Sequence, residues 1–387
     1  MYQVVELTFL KLGRRKEMGH QITQIARTEN GGKYKVSISI PFELGWIERV
    51  KLNITTREQK NVYPMKHVKN ENDMAYFETT IELPRYAVYH YYFSFEANSR
   101  FQYYKKENTS GDNSVTDEEC WKLSVNFDVP EWAKGAIMYQ IFVDRYKRTR
   151  GLEKPKMKGR DIHNNWTEPP VVGPNKDGKW CVDFYCGDVK GITDTMKYLK
   201  KLGVDIIYLC PISESQSNHR YDTADYKSVD PYAGTTDMMK EMCEKAHKYG
   251  IKVILDVVFN HTGNDSIYYN EYGHYDSIGA YQVAKDPRYK GMVSPYSDFY
   301  DTDCHFGKHE FKFWWNQPNM PKCNGKSEHW RNFICGKEGA INFYFSLGID
   351  GLRLDVADEL LDEFVEDTHT AAVRNKPYAF LMAEMWE

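Results

Sequence analysis

The sequence predicts a multidomain chain: an all-β sandwich over residues 1–128, then an α/β domain over 129–387 whose parallel strands are covered by helices. Three observations predict it. Short alternating stretches rich in β-branched and aromatic residues fill the first third, with no convincing helical period among them. Pro130 in "VPEW" then breaks any strand or helix and marks a linker. Beyond it, nearly continuous apolar runs alternate with amphipathic stretches, as expected of strands buried on both faces.

Element by element, "KYKVSISI" and "YHYYFSF" read as sandwich strands, with turns at "NGG", "NSR" and "SGDN". "AIMYQIFVDRY", from Ala136, reads as a buried first parallel strand, followed by a long basic loop to about Asp188. "ITDTMKYLKKLG" is a helix closed by Gly203, and "VDIIYLCP" is the second strand. "TTDMMKEMCEKAHKYG" is an amphipathic helix with a Thr cap and a terminal Gly250, leading into the third strand, "IKVILDVVF". An inserted subdomain, about 262–329, precedes helical sequence near "WRNFICGKEGAINFYFSLG". "IDGLRLDVAD" is the fourth strand, "ELLDEFVEDTHTAAVR" a helix, and "YAFLMAEMW" the fifth strand.

Composition narrows the function classes. The net charge of −4, with Lys and Arg spread along the chain, leaves no footprint for nucleic acid. No apolar run approaches the roughly 18–20 residues needed to span a membrane. The start has no signal-peptide pattern, and eight irregularly spaced cysteines read as reduced thiols, so the expected location is cytoplasmic. Cys304, His305 and His309 in "DCHFGKHE" match no standard zinc spacing, and no metal ligands are assigned. Aromatic residues reach 15%, including 29 Tyr and 9 Trp, whose flat faces suit the apolar face of a sugar ring as well as a protein core.

Strands three, four and five each carry charge near the C-terminal end: Asp256, then Arg353 with Asp355, then Glu384. That end of a parallel sheet is where ligands bind. Side chains alternate along a strand, so Arg353 and Asp355 share a face while Leu352 and Leu354 turn toward the helices. Strands lie about 4.8 Å apart, so acids at one level of strands four and five would stand about 5–5.5 Å apart, as a nucleophile and an acid/base do in retaining glycosidases. Arg353 is expected to keep Asp355 ionised, and the charge of Asp355 to keep Glu384 protonated.

"DVVFNHTG", "GLRLDVAD" and "AEMW" resemble, in order, three regions of the α-amylase family of glycoside hydrolases. "SNHRYDTADY" and "PEWAKGAIMYQIFVDRY" resemble that family's sequence after strand two and into strand one. "MPKCN" is similar to the "MPKLN" of neopullulanases, cyclomaltodextrinases and maltogenic amylases, and "DFYCGDVKGI" to their "FYGGDLKGI". The resemblance implies a neopullulanase-type N-domain and an incomplete (β/α)8 TIM barrel comprising strands one to five. It implies retaining hydrolysis of α-glucosidic bonds in maltodextrins, cyclodextrins or pullulan, with Asp355 as nucleophile and Glu384 as proton donor. Tyr221 would stack on the sugar, His261 would bond its hydroxyls, Arg353 would orient Asp355, and Asp256 would organise the base of the site. No cofactor is required. Family members often bind calcium through the Asn before that His (here Asn260) or through an Asn/Asp-rich loop after strand one. Here that loop, "KRTRGLEKPKMKGRD", is basic and a poor cage for a hard cation. The sandwich is expected to help form a homodimer. The expectation is a fragment of a longer enzyme with little hydrolysis of its own. The alternative class is a non-catalytic α-glucan-binding or scaffold protein.

Overall fold

The computed structural model describes residues 17–27, 32–56, 60–83, 87–106, 115–125, 129–157, 159–305 and 308–386. Asn30 and Gly31 of "NGG" and the whole "SGDN" turn lie outside them, as do the side chains of Cys304, His305 and His309. The chain forms two compact units, Met1–Asp128 and Val129–Glu387.

The first unit has two antiparallel sheets. One runs Gly19–Arg27, Gly32–Pro41, Met74–Leu83, Lys66–Glu71 in spatial order. The other runs Lys60–Pro64, Ile47–Thr55, Ala87–Ala97, Arg100–Tyr104, and Trp121–Val125 also pairs with Ala87–Ala97. Alternation decides which side chains go inside: Tyr34, Val36, Ile38 and Ile40 from one sheet share a core with Leu52, Ile54, Phe93 and Phe95 from the other. At "NSR", Asn98 and Ser99 take φ of 48° and 61°, the left-handed pair of a tight hairpin joining Ala97 to Arg100.

The second unit is built on five parallel strands in chain order: Met138–Ile141, Ile206–Leu209, Lys252–Val257, Gly351–Leu354 and Phe380–Ala383. Ile207, Leu209, Val253, Leu255, Leu352 and Leu354 pack under the helices with Leu199, Met239, Met242 and Ile334. Met138, Ile206, Tyr208, Ile254, Phe380 and Met382 cluster on the opposite face. Strands one and five each have a neighbour on one side only among the described residues. Contrary to the buried strands expected, Tyr139 and Gln140 are therefore exposed, and Phe380–Met382 are half-buried.

The helices follow their caps. Thr235 Oγ1 accepts from Met238 N at 3.2 Å to open Thr236–Lys248, and Gly250, at φ 67°, lies just past its end. The expected helix before Gly203 is split into Val189–Thr193 and Met196–Leu202. The break falls where Thr193 and Thr195 hydroxyls bond back to the carbonyls of Val189 and Ile192, both at 2.8 Å. The sequence near "WRNFICGKEGAINFYFSLG" likewise forms two helices, Glu328–Cys335 and Ala340–Ser346, and Asp362–Asn375 leads to strand five. No helix among the described residues is long and apolar enough to cross a membrane.

Candidate active site

Register brings the strand-end charges together. Asp256 pairs with Arg353 across strands three and four, and Leu354 with Ala383 across strands four and five, so Asp355 and Glu384 follow at one level. Arg353 is the hub. Its Nη1 donates to Asp256 Oδ1 at 2.7 Å and Asp355 Oδ1 at 2.8 Å, while Nη2 lies 2.6 Å from Glu384 Oε1. One guanidinium thus bridges three carboxylates from three strands, a use of its fixed fork that lysine has no geometry to match.

Asp256 lies at the floor, 2% exposed. Its Oδ2 accepts from Tyr208 at 2.6 Å and from Tyr221 at 2.8 Å. Tyr221 follows Arg220, which takes φ of 65° and buries its guanidinium on Asp230 at 3.2 Å, fixing the loop that presents the phenol. Val356, next to Asp355, adopts a left-handed conformation (φ 40°, ψ 51°) that a β-branched residue rarely takes. That turn aims its N–H at Glu384 Oε2, 3.1 Å away.

The electrostatics invert the expected order of the two acids. Burial, reinforced by the charge of Asp256 and then Glu384, pushes Asp355 up to about 7 against the pull of Arg353. Burial also raises Glu384, but the Val356 N–H, Arg353, and hydrogen bonds from Trp386 and Asp355 outweigh it and hold Glu384 below the ordinary carboxylate value. Arg353, expected to orient Asp355, does contact it and also lies against Glu384 through its second nitrogen. Below about pH 7 Asp355, rather than Glu384, holds the proton of the pair.

His261 is buried, and its Nε2 has no hydrogen-bond partner. Burial lowers its pKa to about 4, so the ring is neutral. It is held by a backbone bridge to Lys322 of "MPKCN" and by stacking on Trp314 at 4.9 Å and 19°. Glu359 ties this side together: its Oε1 accepts from the Trp314 and Trp315 indoles, both at 2.9 Å, and its Oε2 from Lys322 at 3.0 Å. Trp315, 65% exposed, stands 5.9 Å from Trp386, 61% exposed, and the pair forms an open aromatic surface beside Glu384.

All six residues singled out from the sequence meet here or adjoin: Asp256, Arg353, Asp355 and Glu384 through one guanidinium, Tyr221 through Asp256, and His261 through the Trp314–Glu359 wall. Tyr208, Trp314, Trp315, Lys322, Glu359 and Trp386 were not singled out. Tyr208 had a signal, since strand alternation turns it with Ile206 to the face that carries Ile254 and Asp256. The tryptophans had none beyond composition. Asn260 turns its amide toward His261 Nδ1 at 3.4 Å, and its carbonyl accepts from Cys323 N at 2.8 Å. Among the described residues, no group of three or more His, Cys, Asp or Glu converges to hold a metal ion.

Comparison with known proteins settles the family. The model of the alpha-amylase catalytic domain matches residues 140–387. The chain belongs to the alpha-amylase family. It is 38% identical over 358 residues to an amylopullulanase of Thermoanaerobacterium thermosulfurigenes, covering 84% of this chain and 19% of that protein. It is 30% identical over 341 residues to a cyclomaltodextrinase of Thermoanaerobacter pseudethanolicus, covering 84% of this chain and 53% of that one. The type III pullulan hydrolase of Thermococcus kodakarensis superposes with a TM-score of 0.55 at 26% identity, covering 92% of this chain and 59% of that structure. The chain therefore spans less than two thirds of each of these relatives. The motif resemblance is borne out, as is the coarse architecture of an α-amylase-type barrel domain preceded by a β domain.

Proposed function

We propose that this α-amylase family chain carries the catalytic pair of a retaining glycoside hydrolase acting on α-glucosidic bonds of maltodextrins, cyclodextrins or pullulan. The observation that carries the reading is the placement of Asp355 and Glu384 at one level of adjacent strands, both on Arg353. Strand spacing of about 4.8 Å leaves the pair at the close separation that suits a covalent intermediate rather than an interposed water. Names of the relatives, amylopullulanase, cyclomaltodextrinase and pullulan hydrolase, support an α-glucan as substrate.

In the proposed reaction Asp355 attacks the anomeric carbon while Glu384 protonates the leaving glycosidic oxygen. Glu384 then deprotonates the water that hydrolyses the glycosyl-enzyme. This needs Asp355 ionised and Glu384 protonated. Below about pH 7 the same single proton sits on the other partner, one transfer away. Neutral His261 has an unused Nε2 for a sugar hydroxyl, and Trp315 with Trp386 offers faces for the rings beyond the cleavage point. The domain split at Asp128/Val129, a neopullulanase-type N-domain and an incomplete barrel belong to the same reading. So does a reducing, cytoplasmic setting, which Cys120, Cys181, Cys186, Cys210, Cys243, Cys323 and Cys335 as free thiols support.

The test is turnover of maltooligosaccharide, cyclodextrin and pullulan by the wild type, Asp355→Asn and Glu384→Gln, with the first product's anomer read by NMR. Retention of configuration and loss of at least roughly 100-fold in kcat for either variant are expected. An inverted product, or variants as active as the wild type, would refute the assignment. Tight glucan binding with no turnover by any form would favour the scaffold reading instead.

A further inference from the structure

The basic segment after strand one occupies the place where the resemblance expects a calcium loop, and its geometry does not fit calcium. The oxygen cluster there centres on Asp188, whose side chain is fully buried. An ionised carboxylate has about four lone-pair sites, and protein donors fill all of them. Oδ1 accepts from Thr149 Oγ1 at 2.7 Å and from Gly191 N at 2.8 Å. Oδ2 accepts from Thr149 N at 3.0 Å and from Lys154 Nζ at 3.1 Å. Lys154 Nζ also donates to Tyr232 O at 2.9 Å, and its side chain is 3% exposed. Calcium takes six to eight oxygen ligands. Here one carboxylate and one carbonyl converge, and the charge between them is already an ammonium.

We propose that Lys154 is a built-in cation that takes the place of a bound metal and pins the segment 147–157 to Asp188 and Tyr232. Several consequences follow from its being covalent. It does not dissociate, so its charge is present at any ion concentration, and a chelator has nothing to remove. Being monovalent, it matches the single negative charge of Asp188, whereas a divalent ion would need further acids that the loop replaces with Lys147, Arg148 and Arg150. The pin also shapes the surface. Lys154 lines both a cleft of about 630 Å³, shared with Tyr146, Arg148 and Trp166, and a second of about 550 Å³, shared with Val229 and Met238. The strap is the wall between them.

The readout is melting rather than turnover, so it stands apart from the hydrolase assignment. Full-length wild-type protein is melted in EDTA, in buffer alone and in millimolar calcium chloride, and Lys154→Met is melted beside it. The three wild-type Tm values are expected to coincide. Lys154→Met is expected to melt on the order of 10 °C lower, because it leaves Asp188 buried with its countercharge gone. A wild-type Tm lowered by EDTA, or raised by roughly 5–10 °C in saturating calcium as an occupied site would do, overturns the proposal. So does a Lys154→Met Tm equal to that of the wild type. If Lys154→Met does not fold, the wild-type melts in chelator and calcium still decide.

Discussion

In the folded protein Asp355 keeps its proton to about pH 7, against 3.8 for an unperturbed aspartate, chiefly through burial. That shift is a statement about stability. Between pH 3.8 and about 7 the folded state binds a proton that the unfolded chain has released, so stability falls as pH rises across this window. Below the window the group costs nothing, and above it the full cost is present. Three decades of proton affinity amount to about 4 kcal/mol, and coupling to Asp256 and Glu384 makes that an upper figure. Asparagine at 355 imitates the protonated acid, since its oxygen can accept from Arg353 Nη1 while its amide donates to Glu384. Asp355→Asn is therefore expected to be more stable than the wild type at pH 8 by about 2–4 kcal/mol, a Tm gain of roughly 5–15 °C. At pH 4 the two should melt together. Calorimetric melts of both proteins from pH 4 to pH 8 measure this directly. A variant no more stable than the wild type at pH 8, or a difference that does not change with pH, would refute the placement of the proton.

Two further outcomes rest on the same site. Hydrolysis by the wild type should decline above about pH 7, where the pair loses its one shared proton, as read from kcat/KM against pH. His261, neutral above about 4, does not supply that limb, so a profile whose alkaline fall vanishes in His261→Asn would contradict the assignment. Trp315→Ala should raise KM for longer maltooligosaccharides by roughly 3–10-fold, the value of one stacking contact, with kcat little changed. An unchanged KM would remove the aromatic surface from the substrate path.

The strand-end acids were legible in the sequence because period and punctuation are local. A strand's alternation sends Arg353 and Asp355 to one side of the sheet and Leu352 and Leu354 to the other. Thr235 and Gly250 bracket a helix whoever its neighbours are. The wall of Trp314, Trp315, Lys322 and Glu359 was not legible, since three of its members lie more than 30 positions from the acid that gathers them.

Local pattern thus named the elements and the acids that share a level, because backbone geometry repeats every two or 3.6 residues. It did not say which acid holds the proton, or that Lys154 would meet Asp188. Those depend on distance and burial. Arg353 is 97 positions from Asp256, and Lys154 is 34 from Asp188. Only the folded chain brings such charges to within about 3 Å of each other and out of water, where a carboxylate's proton affinity changes by decades.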